Sequence, residues 1–269
     1  MDLSTPKVMG IVNITPDSFY SVSRSYDEST VAARVGAMIK EGADMIDVGA
    51  CSTRPGSSQV DASEEESRLR MGLGVIRKHF PDVLLSVDTY RASVAKMCVE
   101  EYGVQIVNDI SGGMADIDMF QTVAALGVPY VLSHIQGSPS DMASHTQYSN
   151  LMDDILYYFS ERVQLLRDLG QKDIIIDPGF GFSKTLDQNY ELLSHFEELQ
   201  ILNLPILAGV SRKSMIYKLF DTDAESSLTG TIALNMACLE RGASILRVHD
   251  VKECKQVVQL YEQIKKHTT

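Results

Sequence analysis

The sequence contains no apolar run approaching the ~20 residues that span a bilayer, so a membrane-embedded protein is not expected. Its start, Met1-Asp2-Leu3-Ser4-Thr5-Pro6-Lys7, has neither a basic opening nor a long apolar core, and no signal peptide is expected. Cysteine is scarce. Cys51, Cys98, Cys238 and Cys254 are too few and too irregular for a disulfide framework or a zinc site, which makes a reducing cytoplasm the simplest setting. Positive charge is in deficit: the net charge is −12, which argues against a general nucleic-acid surface. An anionic ligand would need a local basic cluster, for which Arg54, Arg212, Lys213, Arg247 and His249 are candidates. No linker or low-complexity segment divides the 269 residues.

What the chain does have is a rhythm. Eight short apolar runs end in polar or glycine-bearing tips: Ile11-Val12-Asn13, Met45-Ile46-Asp47, Leu85 to Asp88, Ile106 to Asp109, Tyr130 to His134, Ile175 to Asp177, Leu207 to Gly209 and Leu246 to His249. Helix-like stretches separate them. These include Thr30 to Lys40, Asp61 toward Lys78 behind a capping box, Arg91 to Tyr102, Asp116 to Leu126 and Leu151 to Leu169. Another helix opens at Thr185, and Thr229 to Arg241 and Lys252 to Lys265 close the series. Gly42, Gly103, Gly127, Gly170 and Gly242 stand where left-handed helix stops are expected. Strand-then-helix repeated eight times predicts an α/β fold, a (β/α)8 TIM barrel formed as one domain over residues 1–269. In such a barrel the strand tips share one face, so they are candidates for a single site.

An Asp or Asn at a strand end commonly caps the next helix. Asp88, Asn108 and Asp177 together around one barrel mouth instead suit a ligand rich in N–H groups, such as an aminopyrimidine, while Asp47 and Asp109 are candidates for structural roles. Asp177-Pro178-Gly179-Phe180-Gly181-Phe182 joins close backbone approach to an aromatic that can stack on a flat ring. Gly209-Val210-Ser211-Arg212-Lys213-Ser214 offers hydroxyls and paired cations at an expected helix start, without Walker A spacing. Arg247 and His249, two apart on the last strand, face one way and suit phosphate. Asn13 before Thr15-Pro16-Asp17-Ser18-Phe19 offers oxygen to Mg²⁺. The long loops Thr15 to Glu28 and Cys51 to Val60 follow strands and are expected to act as lids.

In order along nearly the whole chain, the following segments resemble dihydropteroate synthases: Met9 to Phe19, Ser52-Thr53-Arg54-Pro55-Gly56, Ser86 to Thr89, Val107-Asn108-Asp109, Asp177 to Phe182, Ser211 to Ser214 and Arg247-Val248-His249-Asp250. The resemblance implies a cytoplasmic, homodimeric transferase of folate biosynthesis, of the family that sulfonamides target. It would join 6-hydroxymethyl-7,8-dihydropterin pyrophosphate to 4-aminobenzoate, with no nucleic-acid or membrane partner. It also implies a pterin pocket of Asp88, Asn108, Asp177 and Lys213, with Gly209 beside it. An anion site would comprise Asn13, Arg54, Arg247 and His249, with Mg²⁺ on Asn13. An aminobenzoate site would draw on Phe19, Thr53, Pro55, Phe182, Lys213 and Ser214. Asp88, Lys213, Arg247 and His249 would be the catalytic groups. Three segments depart from the common pattern: Tyr20 to Arg24, Ala50-Cys51 and Ser133 to Gly137. A pterin-binding methyltransferase and a non-catalytic relative are the alternatives. The first need not keep Ser211 to Ser214 or Arg247-x-His249, and intact loops around Asn13 and Arg54 argue against the second.

Overall fold

The structure is a computed structural model that describes residues 2–14, 24–51, 60–139 and 141–267. Eight parallel strands run β1 (Lys7–Asn13), β2 (Met45–Gly49), β3 (Leu85–Asp88), β4 (Ile106–Asp109), β5 (Tyr130–Ser133), β6 (Ile174–Asp177), β7 (Leu207–Ala208) and β8 (Ile245–Val248). The helices between and after them are α1 (Arg24–Glu41), α2 (Ala62–His79), α3 (Ala92–Tyr102), α4 (Met119–Leu126), α5 (Leu151–Asp168), α6 (Leu186–Ser194), α7 (Ser214–Tyr217), α8 (Leu228–Glu240) and α9 (Val251–Lys266). β1 pairs with both β2 and β8, and an Ile176–Ile206 bridge joins β6 to the approach of β7. The sheet therefore closes into a (β/α)8 barrel.

The local chemistry explains the boundaries. Asp61 accepts from the Glu64 backbone N–H at 2.8 Å, but the Glu64 carboxylate turns to Arg68, so only half of the expected capping box forms there. Thr185 and Gln188 form a complete one at α6. The five expected helix stops all have positive φ, from 59° at Gly103 to 101° at Gly242. α1 begins at Arg24, earlier than Thr30, because its apolar periodicity starts only at Val31 and its first turns are polar. Asp116 lies before α4 rather than in it, where its carboxylate accepts the Ala92 N–H at 2.8 Å and caps α3.

Side-chain alternation along the strands sets out the barrel interior. Met9, Met45, Ile106, Val131, Ile175, Leu207 and Ile245 pack on one another as a layer separate from the main core. Residues two positions further along face the same interior. They are Ile11, Asp47, Asn108, Ser133, Asp177, Gly209 and Arg247. Two further on come Asn13, Gly49 and His249, with Asp88 in register beside Gly49. The interior thus changes from apolar to ionic within one strand step, toward the strand C-termini. Among the described residues no helix is long and apolar enough to cross a membrane.

Candidate active site

At the centre of the mouth one guanidinium lies between two carboxylates. Arg247 donates from Nε to Asp47 Oδ2 and from Nη2 to Asp88 Oδ2, each at 2.6 Å. Asp47 is fully buried and takes a second donor, Asn108 Nδ2, at 2.9 Å on the same oxygen. Because a carboxylate can only accept, this bond fixes the Asn108 amide with its oxygen outward from the pair. That Asn108 Oδ1 is buried and has no hydrogen-bond partner among the described residues. Burial pushes the Asp88 carboxyl up; Arg247 opposes this, and Asp47 adds to it. Arg247 is held even more firmly protonated than usual, because its two carboxylate neighbours outweigh its desolvation.

Asp177 and Lys213 form the second part. Asp177 Oδ1 accepts the Gly179 N–H at 2.8 Å, and burial raises its carboxyl while Lys213 pulls it back. Lys213 Nζ donates to the Phe180 carbonyl and stands 4.3 Å over the Phe182 ring. Burial lowers its ammonium to about 8. A cavity of about 550 Å³ beside this pair is lined by Phe182, Lys184, Lys213 and Ser214, among others. A Cβ at Gly209 would lie no nearer than 3.9 Å to Lys213 Nζ, so Gly209 leaves that wall open without being a required glycine.

Several expectations change. Arg212 does not pair with Lys213 to receive an anion. Its guanidinium grips Asp250 through two bonds of 2.7 and 2.8 Å and also donates to the Ala224 and Glu225 carbonyls. The reason is its left-handed backbone, φ 53°, which turns the side chain away from that of Lys213. His249 stands at the mouth but adds no charge at neutral pH, because burial and the adjacent Arg247 depress it to about 4. Asp109 is structural: it accepts from the Ser111 and Gly113 N–H groups and from the Tyr130 hydroxyl. Asn13 Oδ1 lies at the mouth, 3.5 Å from where a Gly49 Cβ would be, a point that also lies 3.7 Å from Asp88 Oδ2. Phe19, Thr53, Arg54 and Pro55, with most of both expected lids, lie outside the described residues.

Sequence reasoning missed Lys184. Its Nζ reaches the Gly179 and Phe182 carbonyls at 3.1 Å and His134 Nδ1 at 3.0 Å. Burial brings it down to about 7 and holds His134 neutral. The only sequence signal was its position two residues after Phe182. It also missed the Glu65–Arg91 ion pair, which is braced by Thr89 and whose Arg91 reaches the Val60 carbonyl at 2.6 Å.

The pterin binding enzyme family profile matches residues 9–249. The dihydropteroate synthase of Escherichia coli (strain K12) is 37% identical over 264 residues, covering 97% of this chain and 93% of that relative. That of Clostridium beijerinckii is 41% identical over 249 residues, covering 91% and 89%. Among solved structures, Yersinia pestis dihydropteroate synthase in a sulfonamide drug complex superposes with a TM-score of 0.91 at 36% identity, covering 99% and 96%. The Clostridium difficile enzyme with pteroic acid gives 0.91 at 34% identity, covering 97% of each chain. The Xanthomonas albilineans enzyme with 4-aminobenzoic acid gives 0.88 at 33%, covering 98% and 95%. With matches of this identity running nearly end to end, this chain belongs to the pterin-binding enzymes and, within them, to the dihydropteroate synthase family.

Proposed function

We infer that this chain is a transferase of folate biosynthesis that condenses 6-hydroxymethyl-7,8-dihydropterin pyrophosphate with 4-aminobenzoate, giving 7,8-dihydropteroate and pyrophosphate. The observation that carries the assignment to this mouth is its run of acceptors. Asp88, Asp177 and the unpartnered Asn108 Oδ1 face an interior closed below by an apolar layer. An aminopyrimidine edge presents the matching N–H donors.

In this reading Asp177 and Asn108 bind the pterin edge and Lys213 closes one side of the ring. The substrate carbon–oxygen bond breaks as pyrophosphate departs, and the bonding pair leaves with the oxygen. The electron-rich ring carries the resulting positive charge. Asp88, fixed by Arg247, places a preorganised negative charge near it. The neutral aniline nitrogen of 4-aminobenzoate then forms the new bond and loses its proton to solvent. No strong base is required, because the carbon under attack is already cationic. The cavity beside Phe182, Lys213 and Ser214 is the proposed aminobenzoate site, with Phe19, Thr53 and Pro55 completing it.

Arg247 offers the departing anion Nη1, the nitrogen turned to neither carboxylate, and His249 adds a neutral ring N–H. Mg²⁺ fits this end of the mouth as a cofactor. Among the described residues no cluster of three or more His, Cys, Asp or Glu builds a metal cage, whereas Asn13 supplies one hard oxygen beside the anion site. When bound, Mg²⁺ would offset the charge of pyrophosphate as it leaves. A homodimer is the proposed assembly and the cytoplasm the proposed location. The test is a steady-state assay with both substrates and Mg²⁺, following pyrophosphate release. The expected result is release that depends on 4-aminobenzoate. Pterin binding without turnover would reject the reading.

A further inference from the structure

The sequence alone gave Asp47 no part in chemistry, and it is too deep to meet a substrate directly, being 0% exposed. Its partners are what make it notable. A single oxygen, Oδ2, accepts from Arg247 Nε at 2.6 Å and from Asn108 Nδ2 at 2.9 Å. Those partners come from β8 and β4, on either side of β2 around the barrel. We propose that Asp47 is a positioning residue for both substrate halves, its one shared oxygen fixing Asn108 as an acceptor toward the pterin and Arg247 as a donor toward the pyrophosphate. This rests on the site reading given above.

The physical argument has three parts. An isolated Asn amide can present either its oxygen or its NH₂ to a ligand, because the two orientations have the same shape. Against a carboxylate only one orientation forms a hydrogen bond, so Asp47 determines which atom of Asn108 remains for the pocket. Arg247 is flexible by nature, but a bond at Nε sets the guanidinium plane, while the bond to Asp88 at Nη2 sets its rotation. Finally, both bonds are charge-assisted, with the Asn108 bond buried and the Arg247 bond partly so, the class of hydrogen bond strong enough to hold a geometry against thermal rotation.

A shared oxygen makes a specific prediction about substitutions. Asp47→Asn keeps one carbonyl oxygen that can take both donors, with its NH₂ in the place of Oδ1, which has no partner among the described residues. Asp47→Ala keeps neither bond. Binding of a pterin, and separately of inorganic pyrophosphate with Mg²⁺, is measured by calorimetry on folded protein, alongside the 4-aminobenzoate KM. Asp47→Ala is expected to weaken both affinities by about tenfold or more, the size of one lost charge-assisted hydrogen bond. Asp47→Asn should recover most of each loss, and the 4-aminobenzoate KM at saturating pterin substrate should be little changed in either. If Asp47→Ala does not fold, Asp47→Ser, whose hydroxyl is too short to reach both partners, takes its place with the same expectation.

A merely structural Asp47 would lower Tm and the active fraction while leaving both affinities of the folded protein unchanged. That result overturns the inference, as does Asp47→Asn binding as weakly as Asp47→Ala. Asn108→Ala and Arg247→Ala are run beside them. If these leave pterin and pyrophosphate affinity intact, it is the site reading that falls. If they weaken binding while Asp47→Ala does not, only the role of Asp47 falls.

Discussion

Arg247 on β8 and Lys184 after β6 are two cations on walls of one barrel separated only by β7, and the barrel holds them by opposite means. Arg247 has two carboxylates at 2.6 Å and is locked in its charged form. Lys184 has two carbonyls and a neutral imidazole nitrogen, and its pKa falls to about 7. A planar guanidinium can bond two carboxylates in fixed directions and never loses its proton. An ammonium whose direct partners are all neutral has only the field of Asp177, with which it forms no ion pair, to oppose its desolvation, and it drifts toward neutrality. The β8 wall is therefore built for constant charge. The β6 wall, which also carries Phe182 over Lys213, is tied by a group that titrates near neutral pH.

The sharpest way to break this comparison is to remove Arg247. Arg247→Ala strands the buried Asp47 and the partly buried Asp88 and should cost about 3 kcal/mol of stability, besides weakening pyrophosphate binding. Chemical denaturation checks the first and calorimetry the second. A loss below ~1 kcal/mol would mean that the pair is effectively solvated.

Asp177→Asn should come next. Gly179 N–H holds Oδ1, so the substituted amide must keep its oxygen there and turn its NH₂ toward the pterin N–H groups. A donor facing donors is worth ~1–3 kcal/mol or more of lost affinity with the fold intact. Unchanged pterin affinity in a folded variant would remove Asp177 from the pocket.

Lys184→Met probes the other wall. The folded pKa of Lys184 lies below its unfolded value, so between about 7 and the ordinary lysine range the unfolded chain binds more protons. The native contribution of Lys184 therefore improves as pH rises through that window, by at most ~1.4 kcal/mol per pH unit. Replacing it with Met should help most below pH ~7, and the Tm difference between variant and native protein should shrink toward pH ~10. A difference flat with pH would mean that Lys184 stays charged throughout.

The smallest effect belongs to Arg212. Arg212→Gln removes the partly exposed Asp250 pair and should lower stability by ~1 kcal/mol or less, leaving pterin affinity unaltered. Lys213→Gln should do the reverse, weakening substrate binding with little change in Tm. Exchange of those two outcomes would show that the adjacent cations had been assigned in the wrong order.

The barrel was legible in the sequence because its signals are local. Alternating strand residues, glycine stops such as Gly103 and Gly242, and the Thr185–Gln188 cap each depend on neighbours within a few positions. Strand-end placement brought Asp88, Asn108, Asp177, Arg247 and His249 to one mouth, since in this fold strand C-termini share a face. Tertiary structure alone decided their states. Which carboxylates share Arg247, which way the Asn108 amide points, that Arg212 turns to Asp250 while Lys213 turns inward, and that burial lowers His249 and Lys184 all depend on groups far apart in the chain. Asp47 and Arg247 are 200 residues apart, and Asn108 and Asp47 are 61 apart. Hydrogen-bond direction and desolvation act across only a few ångströms of space, and a sequence pattern read in short windows carries periodicity but not those distances.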